Sequence, residues 1–144
     1  MMILKARQEN IPAIASLAAE LWPGHTVREM EEECGDILEQ GGVFFLAAEE
    51  DKPAAFAQCQ LRYDYVEGTD HSPVGYLEGV YVREPFRGRG LARELVQLCE
   101  KWARERGCGE FASDCELDNL DSLRFHLRCG FSEANRIICF AKKL

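Results

Sequence analysis

Apolar residues recur along this chain with two periods, and the switches between them outline its elements. Residues 3–6 (ILKA) predict a short first strand. Ile11, Ile14, Leu17, Ala18 and Leu21 then follow a spacing near about 3.6, one face of a helix. Asn10 stands where a cap belongs, Pro12 falls in the first turn, and Trp22-Pro23-Gly24 ends the run. Thr26 and Glu29 have capping-box spacing and open a second helix, whose apolar face is Val27, Met30, Cys34, Ile37 and Leu38. Its outer face is acidic (Glu29, Glu31, Glu32, Glu33, Asp36, Glu39), which reads as a solvated surface over most of its length. Residues 43–48 and 54–65 predict an antiparallel hairpin turning at 50–53, and a polar loop (66–73) leads to a third strand at 74–82. Leu91, Leu95, Leu98 and Trp102 give a third helix, stopped by Gly107. Residues 110–114 predict a strand that the intervening helix allows to run parallel to 74–82. A fourth helix (120–129) and a final strand (136–142) complete the order β-α-α-β-β-β-α-β-α-β. This is a mixed α/β class, a mostly antiparallel sheet with helices on both faces, and the length suits one domain over residues 1–144.

Charge adds an asymmetry to that picture. The net charge of −8 divides into 5 basic and 15 acidic side chains in residues 1–82, and 12 basic and 10 acidic in residues 83–144. The first part suits a cationic ligand and the second an anionic one. Nucleic acid is not an expected partner, because most of the surface would repel phosphate. No apolar run approaches membrane-spanning length and no leader pattern opens the sequence, so no membrane partner and a cytoplasmic location are expected. Seven cysteines, an odd number and far apart, read as buried free thiols of a reducing compartment. No Cys pair or placed His predicts a metal site.

The candidate chemistry lies between residues 74 and 103. After the strand the chain turns through Arg83-Glu84-Pro85-Phe86 and enters the third helix by Arg87-Gly88-Arg89-Gly90-Leu91-Ala92-Arg93. N–H groups in such a turn point outward with no Cβ in the way, and the arginines add full charge, so the segment suits a phosphate. It lacks the Lys-Ser/Thr pair of a P-loop, and the chain is too short for a dinucleotide fold. Within the strand, Glu78 lies between Leu77 and Gly79, two residues before Val80 and by simple alternation on the same face. A carboxylate there could hold an ammonium and take its proton.

Residues 87–92 also have the spacing R-x-x-G-x-A, which resembles the pyrophosphate-binding motif of the GNAT superfamily of acyl-CoA-dependent N-acetyltransferases. The likeness runs the length of the chain. Within the superfamily, SPVGYLEGVYV, EFASD and LDN are most similar to the aminoglycoside 6′-N-acetyltransferases. The resemblance implies a splayed pair of parallel central strands that admits acetyl-CoA as co-substrate. Val80, Tyr81 and Val82 would offer backbone groups to pantetheine and a backbone N–H near Val80 to the oxyanion, while Arg87, Gly88, Arg89, Gly90, Leu91, Ala92 and Arg93 receive the pyrophosphate. Glu78 becomes the general base. His126, four residues before Gly130-Phe131, stands where the superfamily commonly has a Tyr that protonates the departing thiolate; packing on an apolar helix face is its structural alternative. Asn119 would cap the fourth helix and bond pantetheine, or act as a plain cap. Asp114 would bind a second ammonium or cap the following helix. Trp22, His25 and Tyr65 would approach the acceptor, as aromatic faces do for sugars and ammonium groups, or be core edges.

The implied reaction is acetylation of the 6′-amine of an aminoglycoside by direct attack in a ternary complex, conferring resistance. A polyamine or protein amine as acceptor, and a non-catalytic CoA-binding module, are the alternatives. The short tail after Phe131 leaves an edge for another subunit to complete, so a homodimer is expected.

Overall fold

In a computed structural model describing residues 1–144, the alternating stripes form one sheet with strand order β1-β2-β3-β4-β5. The strands are β1 (Met2–Lys5), β2 (Val43–Glu49), β3 (Lys52–Arg62), β4 (Val74–Val82) and β5 (Phe111–Ser113). The helices are α1 (Ile11–Leu21), α2 (Val27–Glu39), α3 (Leu91–Glu105) and α4 (Leu120–Arg128). β1 to β4 are antiparallel neighbours, and β5 pairs parallel to β4 because α3 intervenes.

Side-chain alternation assigns the faces. Val43, Phe45, Ala55, Ala57 and Cys59 pack with Leu95, Val96, Cys99 and Trp102 of α3. Phe44, Leu46 and Phe56 point the other way, against Ile14, Leu17 and Ala18 of α1 and Met30 and Cys34 of α2. Each large buried side chain is worth about 1.5–3 kcal/mol. A one-residue slip of β2 or β3 would strand both cores at once, which pins the register.

Local chemistry settles most element ends. The Thr26–Glu29 box closes in both directions at 3.1 Å, and the Thr26 N–H holds the Glu29 carboxyl below its usual range. Asn10 does not cap α1: a 3-10 turn over Gln8–Asn10 precedes the helix, so Asn10 is already helical and its Oδ1 accepts from the Arg7 N–H at 2.8 Å. β3 begins earlier than expected, at Lys52, with Pro53 opposite Ala48 at a break in register, and ends at Arg62, which leaves Tyr65 in a loop. The final strand at 136–142 is absent. A strand needs a partner edge, and those residues pair with none; Ile137, Ile138 and Phe140 are 63%, 81% and 91% exposed. β5, at the end of the sheet, has β4 as its only neighbour.

All seven cysteines are free, but only Cys34, Cys59, Cys99 and Cys108 are buried; Cys129 is half-buried, and Cys115 and Cys139 are exposed, against expectation. They lie in segments 114–119 and 131–144 that carry no helix or strand to cover them. Burial pushes the Cys34 thiol up to about 12 and raises those of Cys108 and Cys129. Because the thiolate is the reactive form, a chromogenic disulfide reagent at mildly alkaline pH should modify Cys115 and Cys139 at once and Cys129 slowly. The four buried thiols should react only after denaturation; prompt reaction of Cys34 or Cys99, followed by peptide mapping, would contradict this packing.

Candidate active site

The site begins with an irregularity in β4. Along the β3–β4 ladder Ala57 opposes Val80 and Gln58 opposes Gly79, but Cys59 opposes Leu77, so Glu78 is the extra residue of a β-bulge. The bulge resets alternation and corrects the expectation that Glu78 shares a face with Val80. Leu77, Val80 and Val82 all pack toward α3. Glu78 turns to the opposite side, where with Trp22, His25, Glu33, Gln58 and Gln60 it lines a cavity of about 460 Å³ between the sheet and the α1–α2 connection.

Trp22 is fixed as one wall of this cavity. A Cβ on Gly79 would lie 2.7 Å from Trp22 Cη2 and Cζ2, so only glycine lets the ring come this close to the strand. Phe56 backs the indole edge-on, with ring centroids 6.1 Å apart. His25 is at the rim, its Nδ1 3.7 Å from Glu29 Oε2.

Glu78 is held from behind. Arg62 Nη2 donates to its Oε1 at 2.6 Å and Nε to its Oε2 at 3.1 Å. The guanidinium lies 3.5 Å from the Tyr76 ring centroid, and the Tyr76 hydroxyl donates to Asp114. Burial and the bond to Asp114 raise the phenol's pKa, which keeps it a proton donor to that carboxylate. Asp114 is thus tied into one network with Glu78, and it does not cap α4. Asn119 does so, its Oδ1 accepting from the Ser122 N–H at 3.1 Å. Tyr65 is not brought to the cavity: it is 77% exposed and its hydroxyl turns to Glu67. Its loop is drawn toward β5 by Glu110, which accepts from the N–H groups of Asp70 and His71 at 3.0 and 2.9 Å.

The other side of the site is a parting of strands. β4 and β5 pair only at Gly75–Phe111, Tyr76–Ala112 and Leu77–Ser113, so Val80, Tyr81 and Val82 have no β5 partner. His126 stands at this fork. Its Nδ1 donates to the Ser122 carbonyl at 2.7 Å, which leaves Nε2 facing the Ser113 hydroxyl at 2.8 Å; that hydroxyl is 3.1 Å from the Leu77 carbonyl. The imidazole also rests on Phe131, 5.2 Å between centroids, so it is both packed and hydrogen-bonded to the strand ends.

Beyond Val82 the chain reaches the glycine-rich turn. Arg87 Nε donates to the Val82 carbonyl at 2.9 Å, and Arg89 Nη1 is 3.4 Å from Glu49 Oε1. Gly88 and Gly90 have φ of +79° and +77°, a region costly for other residues, and nothing lies within 4 Å of a Cβ at either. The first ladder bond of α3 is Glu94 N–H to the Gly90 carbonyl, so the N–H groups of Leu91, Ala92 and Arg93 point out of the helix end. An open, positively polarised cradle results, continuous with the unpaired edge of β4. It fits a diphosphate carrying an amide-bearing arm.

Residues 7–131 match the Acetyltransferase (GNAT) family. The chain belongs to that family. It is 37% identical to an aminoglycoside N(6′)-acetyltransferase type 1 of Serratia marcescens, with 99% of each chain covered. A relative of the same name from Acinetobacter genomosp. 13 is 42% identical over 86% of each chain. Among solved structures, aminoglycoside N-acetyltransferase AAC(6′)-Iy in complex with CoA superposes with a TM-score of 0.94 at 33% identity, covering 99% of this chain and 95% of that one. The same enzyme with the bisubstrate analogue CoA-S-monomethyl-acetylneamine gives 0.93 at 33% identity, covering 99% and 98%.

In this acetyltransferase several site residues escape a pattern reading. Arg62, Tyr76 and Ser113 bind the carboxylates and the fork, and Glu33, Gln58 and Gln60 line the cavity. Gln58, Gln60 and Arg62 did carry a signal: they alternate with Ala57, Cys59 and Leu61, so a central strand presents polar groups on one face. Polar residues there need a solvent-filled site to face.

Proposed function

We propose that this acetyltransferase transfers the acetyl group of acetyl-CoA to the 6′-amine of aminoglycosides by direct attack in a ternary complex, within the cytoplasm. Loss of one positive charge weakens a drug's hold on ribosomal RNA, and resistance follows. The observation that carries this reading is the bulged Glu78. It places a carboxylate on the wall of a cavity that also holds Glu33, beside the fork of β4 and β5. The names and co-crystallised ligand of the relatives point to the same acceptor.

Acetyl-CoA supplies the activated acyl group. Arg87 to Arg93 hold its pyrophosphate, and the backbone of Val80, Tyr81 and Val82 holds the pantetheine arm and the carbonyl oxygen. Asn119 fixes the start of α4 beside that arm. Glu78 receives the acceptor's ammonium and its proton. Asp114, Glu33, Trp22 and His25 position the rest of a polycationic sugar, with Tyr65 reaching it only from the loop. As an imidazolium, with its Nδ1–H kept on the Ser122 carbonyl, His126 supplies the departing sulfur's proton from Nε2, through or beside the Ser113 hydroxyl. Spectrophotometric release of CoA with kanamycin or tobramycin, against spermidine and a lysine peptide, tests the reading; no turnover of any aminoglycoside would sink it.

The 144 residues act as one domain in a homodimer. Two observations support this: the outer edge of β5 has no partner, and the tail leaves Ile137, Ile138 and Phe140 largely exposed. An unpaired edge and a strand-like tail suit exchange between two copies. Sedimentation should give a dimer at micromolar concentration and a monomer after deletion of residues 136–144. A monomeric full-length chain would remove the proposal.

A further inference from the structure

Arg62 lies where the acceptor's own cation is to bind. It is the last residue of β3, and its side chain is 44% exposed, whereas that of Glu78 is 17% exposed. Glu78 is held in place by the bulge, and Arg62 is the more exposed partner of the pair. Its two donors take both oxygens of the Glu78 carboxylate, and its face on Tyr76 brings it into the field of Asp114 as well. An incoming ammonium meets a carboxylate already satisfied.

We propose that Arg62 is a displaceable internal counter-ion, which occupies Glu78 until the acceptor's ammonium replaces it, so that an acceptor with a single ammonium keeps little net affinity. This rests on the reading that Glu78 receives the reacting amine. A tethered guanidinium competes at high effective concentration, and its two parallel hydrogen bonds outmatch those of one ammonium. A monoamine gains at Glu78 little more than Arg62 gives up. A polyamine adds further charge near Glu33, with which Arg62 makes no ion pair. The built-in competitor weakens every acceptor by the same factor, and those with further ammonium groups keep enough attraction to bind.

The test measures binding of kanamycin and of the monoamine 6-amino-6-deoxyglucose to the CoA-loaded enzyme by calorimetry, with steady-state kinetics alongside. Arg62→Gln should tighten the monoamine and kanamycin by the same factor, about tenfold, and lower the acceptor KM in the same proportion. Arg62→Lys, which keeps the charge but loses the paired donors, should fall between the parent and Arg62→Gln. In a Glu78→Gln background the Arg62→Gln effect should vanish. Unchanged or weaker binding of both ligands by Arg62→Gln would overturn the proposal, and so would a fall in kcat with the acceptor KM unchanged, the mark of a residue that only props Glu78 in place.

The base role of Glu78 is read separately. If Glu78→Gln turns over like the parent, that role fails, while the coupling between positions 62 and 78 in the binding data still decides the counter-ion. If Arg62→Gln does not fold, the ¹⁵N-labelled parent serves. Its Arg62 Nε–H resonance should move toward that of a solvent-exposed arginine on saturation with kanamycin, and a resonance that stays put overturns the displacement.

Discussion

Glu78→Gln is expected to lower kcat with kanamycin by about 10²–10³-fold while acetyl-CoA binding and Tm stay close to the parent's. The substitution preserves shape, fits the same bulge and retains an amide oxygen to accept from Arg62 Nη2. What it removes is the charge that attracts an ammonium and the lone pair that takes its proton. Aliphatic amines are mostly protonated at neutral pH, so the nucleophile must be unmasked before attack. Without the carboxylate, turnover depends on the small neutral fraction of amine already in solution. The residual rate should therefore climb about tenfold per pH unit below the amine's own pKa, more steeply than the parent's. Turnover within about threefold of the parent, with a parallel pH profile, would place the base elsewhere.

The same residue shows what a pattern reading reaches and where it stops. Element types followed from local physics: the Thr26–Glu29 box, the apolar stripe of α3 and the hairpin between β2 and β3 depend on neighbours in sequence. So did the glycine-rich turn into α3, because its requirements of positive φ, absent Cβ and a helix start are all local. The face of Glu78 was not legible by counting, since a period of two holds only while two strands advance in step. Gly79 was the available hint, a glycine inside a strand being a common mark of a bulge or a close approach; here it is both. Arg62 and Tyr76 became site residues through contacts across 14 or more positions of chain, which no window contains. The tail failed in another way. Its composition is that of a strand, but a strand is a property of a pair, and a run of apolar residues does not say whether an edge will meet it.

Gly79→Ala is expected to destabilise the protein by about 1–3 kcal/mol and to raise the acceptor's KM while leaving that of acetyl-CoA unchanged. The added methyl would lie 2.7 Å from two carbons of the Trp22 ring and 3.3 Å from Leu21 Cδ2. The indole cannot retreat, because Phe56 stands behind it in the α1–α2 core. Relief comes only by tipping the ring into the cavity or lifting α1 from the sheet; the first narrows the acceptor site and the second costs burial. Trp22→Phe removes the carbons that collide, so Gly79→Ala should cost less in that background than in the parent, a coupling that urea titration of the four proteins would measure. Additive losses would mean that the strain is carried by the bulge itself. In that event acetyl-CoA's KM should move as well, since the residues after Gly79 form the unpaired edge to which its arm is assigned.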